Sequence, residues 1–189
     1  MHAFLTSLAI IFLAETGDKT QLLAFSLAHR FRRPWAVMAG ILVATLVNHS
    51  LSACAGSWVA VHVPAVVVSA LLALSFLAFG VWVLIPDSLP EREKPSHVGA
   101  FLTTTWLFFL TEIGDKTQLA TMALGAEYRS VLAITAGTTL GMLLADGIVV
   151  FLGGRIRNWL PVKWIRIATA TVFFAFGAWS AAAVIHHWL

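Results

Sequence analysis

Charge is what this sequence has least of. Only 11% of its 189 residues are Asp, Glu, Lys or Arg, against 59% hydrophobic; a soluble domain carries roughly 25% charged residues. A water-soluble chain of this length covers its surface with polar groups. This one lacks them, which leaves lipid as the solvent that accepts its surface. Cysteine is nearly absent: the single Cys54 allows no internal disulfide and no thiolate metal cage, and it reads as a small apolar residue of a helix. The net charge of +3 comes without a basic run interleaved with aromatics, which argues against nucleic acid as a partner. Strand-type alternation is missing, which disfavours a β-barrel. The N-terminal segment has no basic leader, and Glu15 and Asp18 interrupt its apolar run, so it is expected to be a first span rather than a signal peptide.

What is there is a set of six apolar stretches, at about 3–28, 34–60, 65–86, 100–126, 130–154 and 162–185, each long enough to cross roughly 30 Å of hydrocarbon. The expected fold class is an all-α membrane protein of six transmembrane helices. One segment, 87–98, reads as a linker, with Asp87, Pro90, Glu91, Arg92, Glu93, Lys94 and Pro95.

The two halves repeat in one ungapped register of 97 residues. Ala3-Phe4-Leu5-Thr6 returns as Ala100-Phe101-Leu102-Thr103. Glu15, Gly17, Asp18, Lys19, Thr20, Gln21 and Leu22 return as Glu112, Gly114, Asp115, Lys116, Thr117, Gln118 and Leu119. Ala39-Gly40, Gly56 and Pro64 return as Ala136-Gly137, Gly153 and Pro161, and Phe76, Ala78, Phe79, Gly80 and Trp82 as Phe173, Ala175, Phe176, Gly177 and Trp179. The domains expected are a first three-helix repeat over 1–86, a cytoplasmic linker over 87–98 and a second repeat over 99–189. Three spans per copy is an odd number, so the second copy is expected to enter the membrane inverted, as in many secondary transporters.

Charge placement gives an independent orientation. Arg30, Arg32, Arg33, Arg92, Lys94, Arg155, Arg157, Lys163 and Arg166 fall on one side of such a topology and only Arg129 on the other, with Lys19 and Lys116 inside the spans. The positive-inside rule then puts the linker in the cytoplasm and both termini outside.

Five of the nine acidic residues fall within spans: Glu15, Asp18, Glu112, Asp115 and Asp146. Mid-membrane charge costs about 2.5 to over 10 kcal/mol, so such residues are functional candidates by default. Glu15 and Asp18 are i and i+3 and would share a helix face, as would Glu112 and Asp115. Inversion would bring the two faces together near mid-membrane, with Thr20, Gln21, Thr117 and Gln118 close enough to add neutral oxygens. Such an all-oxygen set suits a hard divalent cation such as Mn²⁺ or Ca²⁺. Gly17 and Gly114 inside the motif let the backbone loosen.

A plainer structural role is also open to these residues. Glu15 with Lys19, and Glu112 with Lys116, have the i, i+4 spacing of a helix ion pair; that pairing would leave Asp18 and Asp115 without a partner inside the motif. Lys19 and Lys116 either offset carboxylate charge or snorkel to an interface. The halves differ on the second span, where Asn48-His49 aligns with Ala145-Asp146. An asymmetric His/Asp pair could relay protons, and His49 could equally hydrogen-bond a neighbouring helix. The eight Trp read as belt and packing residues, the Phe-x-Ala-Phe-Gly-x-Trp pattern as helix packing, and His186-His187 as a solvated tail.

Leu13-Ala14-Glu15-Thr16-Gly17-Asp18-Lys19-Thr20 and Leu110-Thr111-Glu112-Ile113-Gly114-Asp115-Lys116-Thr117 resemble the paired motifs of the small cation/proton exchangers of bacteria, thylakoids and the Golgi, among them bacterial manganese exporters. The resemblance runs over essentially the whole chain. It implies Mn²⁺ and/or Ca²⁺ export in exchange for protons, no resident cofactor, no enzyme activity, and Glu15, Asp18, Glu112 and Asp115 as the cation and proton site. The chain has no long N-terminal extension like that of organellar members, which implies a bacterial inner-membrane protein. The competing expectations are a divalent cation channel and an intramembrane aspartyl protease; the latter has no use for four carboxylates in symmetric pairs.

Overall fold

The computed structural model describes residues 1–85, 99–153 and 162–186. The expected linker 87–98, the ends of the spans 65–86 and 130–154, and Arg155, Arg157 and His187 lie outside the described residues, as do the side chains of Arg166 and His186. Among the described residues every regular element is an α-helix: α1 (His2–Glu15), α2 (Lys19–Phe31), α3 (Pro34–His62), α4 (Ala65–Leu84), α5 (Ala100–Glu112), α6 (Lys116–Tyr128), α7 (Val131–Leu152) and α8 (Val162–His186).

Three of these, α3, α4 and α7, are long and apolar enough to cross a membrane individually. The stretches 3–28 and 100–126, expected as continuous spans, are each broken in two. α1 has 14 residues, about 21 Å at 1.5 Å per residue, and ends at Glu15; α5 ends at Glu112. Glycine is the physical reason. Gly17 and Gly114 take φ of +84° and +76°, a left-handed conformation that L-residues with a Cβ avoid, and the helix stops there. Asp18 and Asp115 follow in extended conformation as the N-caps of α2 and α6. Their amides bond back to the carbonyls of Glu15 and Glu112 at 3.0 and 3.2 Å.

Polarity is distributed inside out relative to a soluble protein. Ser7, Thr20, Thr45, Asn48, His49, Thr117, Thr121, Thr138 and Asp146 are buried, while Leu51, Leu74, Val81, Leu132 and Phe151 face outward, as do Trp35, Trp58, Trp106, Trp164 and Trp179. Lipid tails are as apolar as Leu, so packing and polar bonds, not hydrophobic burial, hold such helices together. Cys54 is exposed on α3.

Close packing relies on small residues. Gly137 of α7 lies against Phe4 and Ser7 of α1, and Gly141 against Leu8 and Phe12. One turn on, the Ala145 carbonyl accepts a 2.7 Å bond from Gln21 Nε2. The first copy's chain therefore advances along α7 in a single direction through its own break. The same holds of α5 on α3, where Gly40 lies against Phe101 and Thr104 and Asn48 Nδ2 donates to the Phe109 carbonyl at 3.2 Å. α4 packs along α8, with Phe76 stacked on Phe173 at 6.2 Å between centroids, Gly80 against Phe174 and Gly177 against Leu77. The Phe-x-Ala-Phe-Gly-x-Trp pattern is thus a packing seam.

Candidate functional site

The two breaks face each other. Glu15 and Glu112 close α1 and α5, and both are fully buried. Each binds the threonine at the second position of the next helix through its Oε2: Thr20 donates to Glu15, and Thr117 donates to Glu112 at 2.9 Å. Each keeps its Oε1 buried without a hydrogen-bond partner, as does Asp115 its Oδ2. Ligand oxygens of Glu15, Glu112 and Asp115 lie within 4.8 Å of one another. Ca²⁺–oxygen bonds of 2.3–2.6 Å place opposed ligands about 4.6–5.2 Å apart, so these oxygens sit at the span of one coordinated cation of that class.

The lysines do not follow the i, i+4 pattern. The break lies between each Glu and the Lys four residues on, so the two no longer share a helix. Lys19 donates instead to Asp115 at 2.9 Å, and Lys116 to Asp18. Asp18 and Asp115, expected to lack partners under the structural reading, are held by the opposite copy's lysine. Both lysines reach inward to carboxylates. The Lys19 side chain is 25% exposed and that of Lys116 only 4%, so the exchange of partners is symmetric and its burial is not.

With all four motif carboxylates ionised, the two lysines leave the two motifs, Asp146 not counted, with a net charge of −2, which one divalent cation offsets. The low dielectric of a buried site makes that balance matter far more than it would in water.

Gln21 and Gln118 act on the backbone. Gln21 Oε1 accepts the Gly17 amide at 2.9 Å, and Gln118 Oε1 accepts the Gly114 amide at 2.6 Å. Each glutamine thereby satisfies a donor that the broken helix leaves orphaned. Asn48 ties α3 to α5. His49 and Asp146 are fully buried, with both ring nitrogens of His49 and both oxygens of Asp146 lacking hydrogen-bond partners.

Sequence reasoning did not single out Thr104, Thr135 and Thr139, whose buried hydroxyls also lack partners. A signal existed for two of them: Thr135, Thr138 and Thr139 recur at i, i+3 and i+4 in an otherwise apolar span, which places them on one inward face.

The family described as "Divalent cation/proton antiporter GDT1" matches residues 3–91 and 100–187. A Vibrio cholerae protein named as a proposed manganese exporter is 44% identical over 92% of this chain and 87% of its own length. GDT1-like protein sll0615 of Synechocystis is 26% identical, covering 93% of this chain and 95% of its own. GDT1-like protein 5 of Arabidopsis thaliana is 26% identical over 94% of each. No solved structure matches the chain. On the match over both halves, the chain belongs to the divalent cation/proton antiporter GDT1 family, a family of transporters rather than enzymes.

Proposed function

We propose that the chain exports Mn²⁺, with Ca²⁺ as a second substrate, in exchange for protons, by alternating access at Glu15, Asp18, Glu112 and Asp115. The observation that carries this is the convergence of one carboxylate oxygen from each of Glu15, Glu112 and Asp115 within 4.8 Å, in three buried residues that each keep an oxygen without a hydrogen-bond partner. Unpartnered carboxylate oxygens at zero exposure are costly unless a cation or proton joins them, and a site that accepts either one is the minimal device for exchanging them. The relative named for manganese export favours Mn²⁺ as the first ion to test.

In this reading residues 1–86 and 99–189 form two inverted three-helix repeats of six spans, joined by a cytoplasmic linker over 87–98. The membrane is a bacterial inner membrane, and both termini are periplasmic. Support comes from contacts that recur with the copies exchanged: Lys19–Asp115 with Lys116–Asp18, Gly40 on Thr104 with Gly137 on Ser7, and Gly80 on Phe174 with Gly177 on Leu77. Reciprocity of this kind is the mark of a two-fold relation. Counting each broken helix pair as one span brings the total to six. Cytoplasmic metal enters between the copies, the bundle rocks, and protons from outside replace the metal on the carboxylates.

The test is Mn²⁺ and Ca²⁺ uptake into inside-out vesicles under an imposed proton gradient. Uptake that collapses with the gradient, and in Asp115→Asn, is the expected result. Flux of either ion that persists without a gradient would favour a channel, and no uptake by folded protein would end the metal assignment.

A further inference from the structure

The central site has an unequal pair of flanking residues that the carboxylate cluster does not account for. Asp146 on α7 and His49 on α3 occupy equivalent positions of the two copies, 97 residues apart, and are the place where the buried polar residues of the halves differ in charge. Both are at zero exposure. Neither oxygen of Asp146 and neither ring nitrogen of His49 has a hydrogen-bond partner. A buried carboxylate with two bare oxygens is among the most costly groups in a membrane interior. Its surroundings offer more negative charge, not relief: Asp146 lies within electrostatic reach of Glu15 and Asp18, and Glu112 feels Asp146 in turn. Asp146 stands apart from the converging Glu15, Glu112 and Asp115 oxygens, so a cation on its way to them is the partner that would satisfy it.

The helix register gives the pair a direction. Thr45 and Met142, also equivalent positions, meet at 3.0 Å, Thr45 Oγ1 to Met142 Sδ. His49 and Asp146 each lie four residues further along their own helices, about 6 Å at 1.5 Å per residue. α5 advances in parallel along α3, and α1 and α2 in parallel along α7. α3 turns back from α2 at Arg32–Arg33, so α3 and α7 run in opposite senses. His49 and Asp146 therefore lie on opposite sides of the Thr45–Met142 contact. With Arg30, Arg32 and Arg33 before α3 on the cytoplasmic side, Asp146 is on the cytoplasmic side of the centre and His49 on the periplasmic side. The bond from Gln21, on the helix that leads to those arginines, to Ala145 agrees with this placement.

We propose that Asp146 is a fifth cation ligand, serving intake from the cytoplasm, and that His49 is its weaker, uncharged counterpart on the exit side. The inference rests on the export reading and adds a polarity to it. An anionic oxygen donor attracts and partly desolvates a hard divalent cation before it reaches Glu15 and Glu112. A neutral imidazole offers one nitrogen and no charge, so it guides the ion out without holding it. A two-fold site with identical flanks would bind equally from both faces; the Asp/His difference lowers the cation requirement on one face only.

The experiment measures half-saturating Mn²⁺ at each face, using inside-out and right-side-out vesicles of the full chain, with Mn²⁺ binding to the purified protein followed by electron paramagnetic resonance. Asp146→Asn is expected to raise half-saturation at the cytoplasmic face about tenfold, within the range for lost metal-site partners, and to change the periplasmic face much less. His49→Asp is expected to lower half-saturation at the periplasmic face, and Asp146→Glu to retain much of the cytoplasmic affinity. Equal shifts at both faces, or none in folded Asp146→Asn protein, overturn the proposal. Glu15→Gln separates the two readings: if it leaves Mn²⁺ binding intact, the central site itself is wrong; if it abolishes binding while Asp146→Asn does nothing, only the intake role falls.

Discussion

Lys19 donates to Asp115 at 2.9 Å across 96 residues of sequence, and Lys116 returns the arrangement to Asp18 across 98. Each lysine belongs to one motif and neutralises the aspartate of the other, so the two ion pairs are also the clasp between the halves. The glutamates stand outside these two ion pairs, and each accepts a bond from the threonine of its own motif.

The clasp predicts unequal losses. Lys116→Met removes the buried ammonium paired with Asp18, and removal of one partner of a buried pair costs about 3–5 kcal/mol. Lys19→Met costs less, because the Lys19 side chain is 25% exposed and a partly exposed ammonium contributes less to its pair than a buried one. Thermal melts in detergent should rank wild type above Lys19→Met above Lys116→Met, with Lys116→Met/Asp18→Asn recovering much of the loss. Equal melting of the two single variants would contradict the asymmetry in burial.

Glu15→Gln and Glu112→Gln should behave alike. A glutamine oxygen still accepts the Thr20 or Thr117 hydroxyl, so the fold is retained, while the anionic ligand is gone. Mn²⁺ affinity of the purified protein is expected to fall at least about tenfold in each, measured by competition with a fluorescent chelator. A large loss in one and none in the other would mean that the two glutamates do not share an ion.

The breaks depend on glycine. Gly114 has φ +76° and open space where a Cβ would point, so Gly114→Ala meets backbone strain and no clash. The expected penalty is about 1–2 kcal/mol, read as a lower melting temperature with the helix content by circular dichroism unchanged. Stabilisation by this variant would show that α5 and α6 join into one helix without harm.

At the α3–α6 crossing the constraint is steric. A Cβ on Gly56 would fall on the Met122 carbonyl, and one on Gly125 would come 2.7 Å from the Ala53 carbonyl; at Gly147 the nearest atom is Met38 Cε at 3.5 Å. Backbone cannot yield as a flexible side chain can, so Gly56→Ala and Gly125→Ala are expected to destabilise by about 1–3 kcal/mol and Gly147→Ala by little. Comparable melts for all three would remove the crossing as a point of close approach.

Much of the site was legible because the sequence states it twice. The repeat register named Glu15, Asp18, Glu112 and Asp115 as a set, and their cost in lipid marked them as more than structure. Two things were not legible. The first is where the helices stop: Leu13–Leu22 is apolar enough around its charges to read as one helix, and only the φ of Gly17 tells otherwise. The second is pairing. Local spacing matched Lys19 to Glu15, since sequence reveals neighbours one turn apart and not those nearly a hundred residues away. Once the helix breaks, that local match disappears, and Gln21 is turned from a candidate ligand into the brace of the Gly17 amide.

The sequence by itself determined the solvent, the helical class, the internal repeat and which carboxylates fall within apolar stretches, because each follows from composition or from a repeat that needs no coordinates. Tertiary structure alone decided which charge meets which. Ion pairing and coordination depend on distances of a few ångströms between segments far apart in the chain, and those distances are set by how α1 and α2 lie along α7 and how α5 lies along α3, through contacts at glycine that no local pattern encodes.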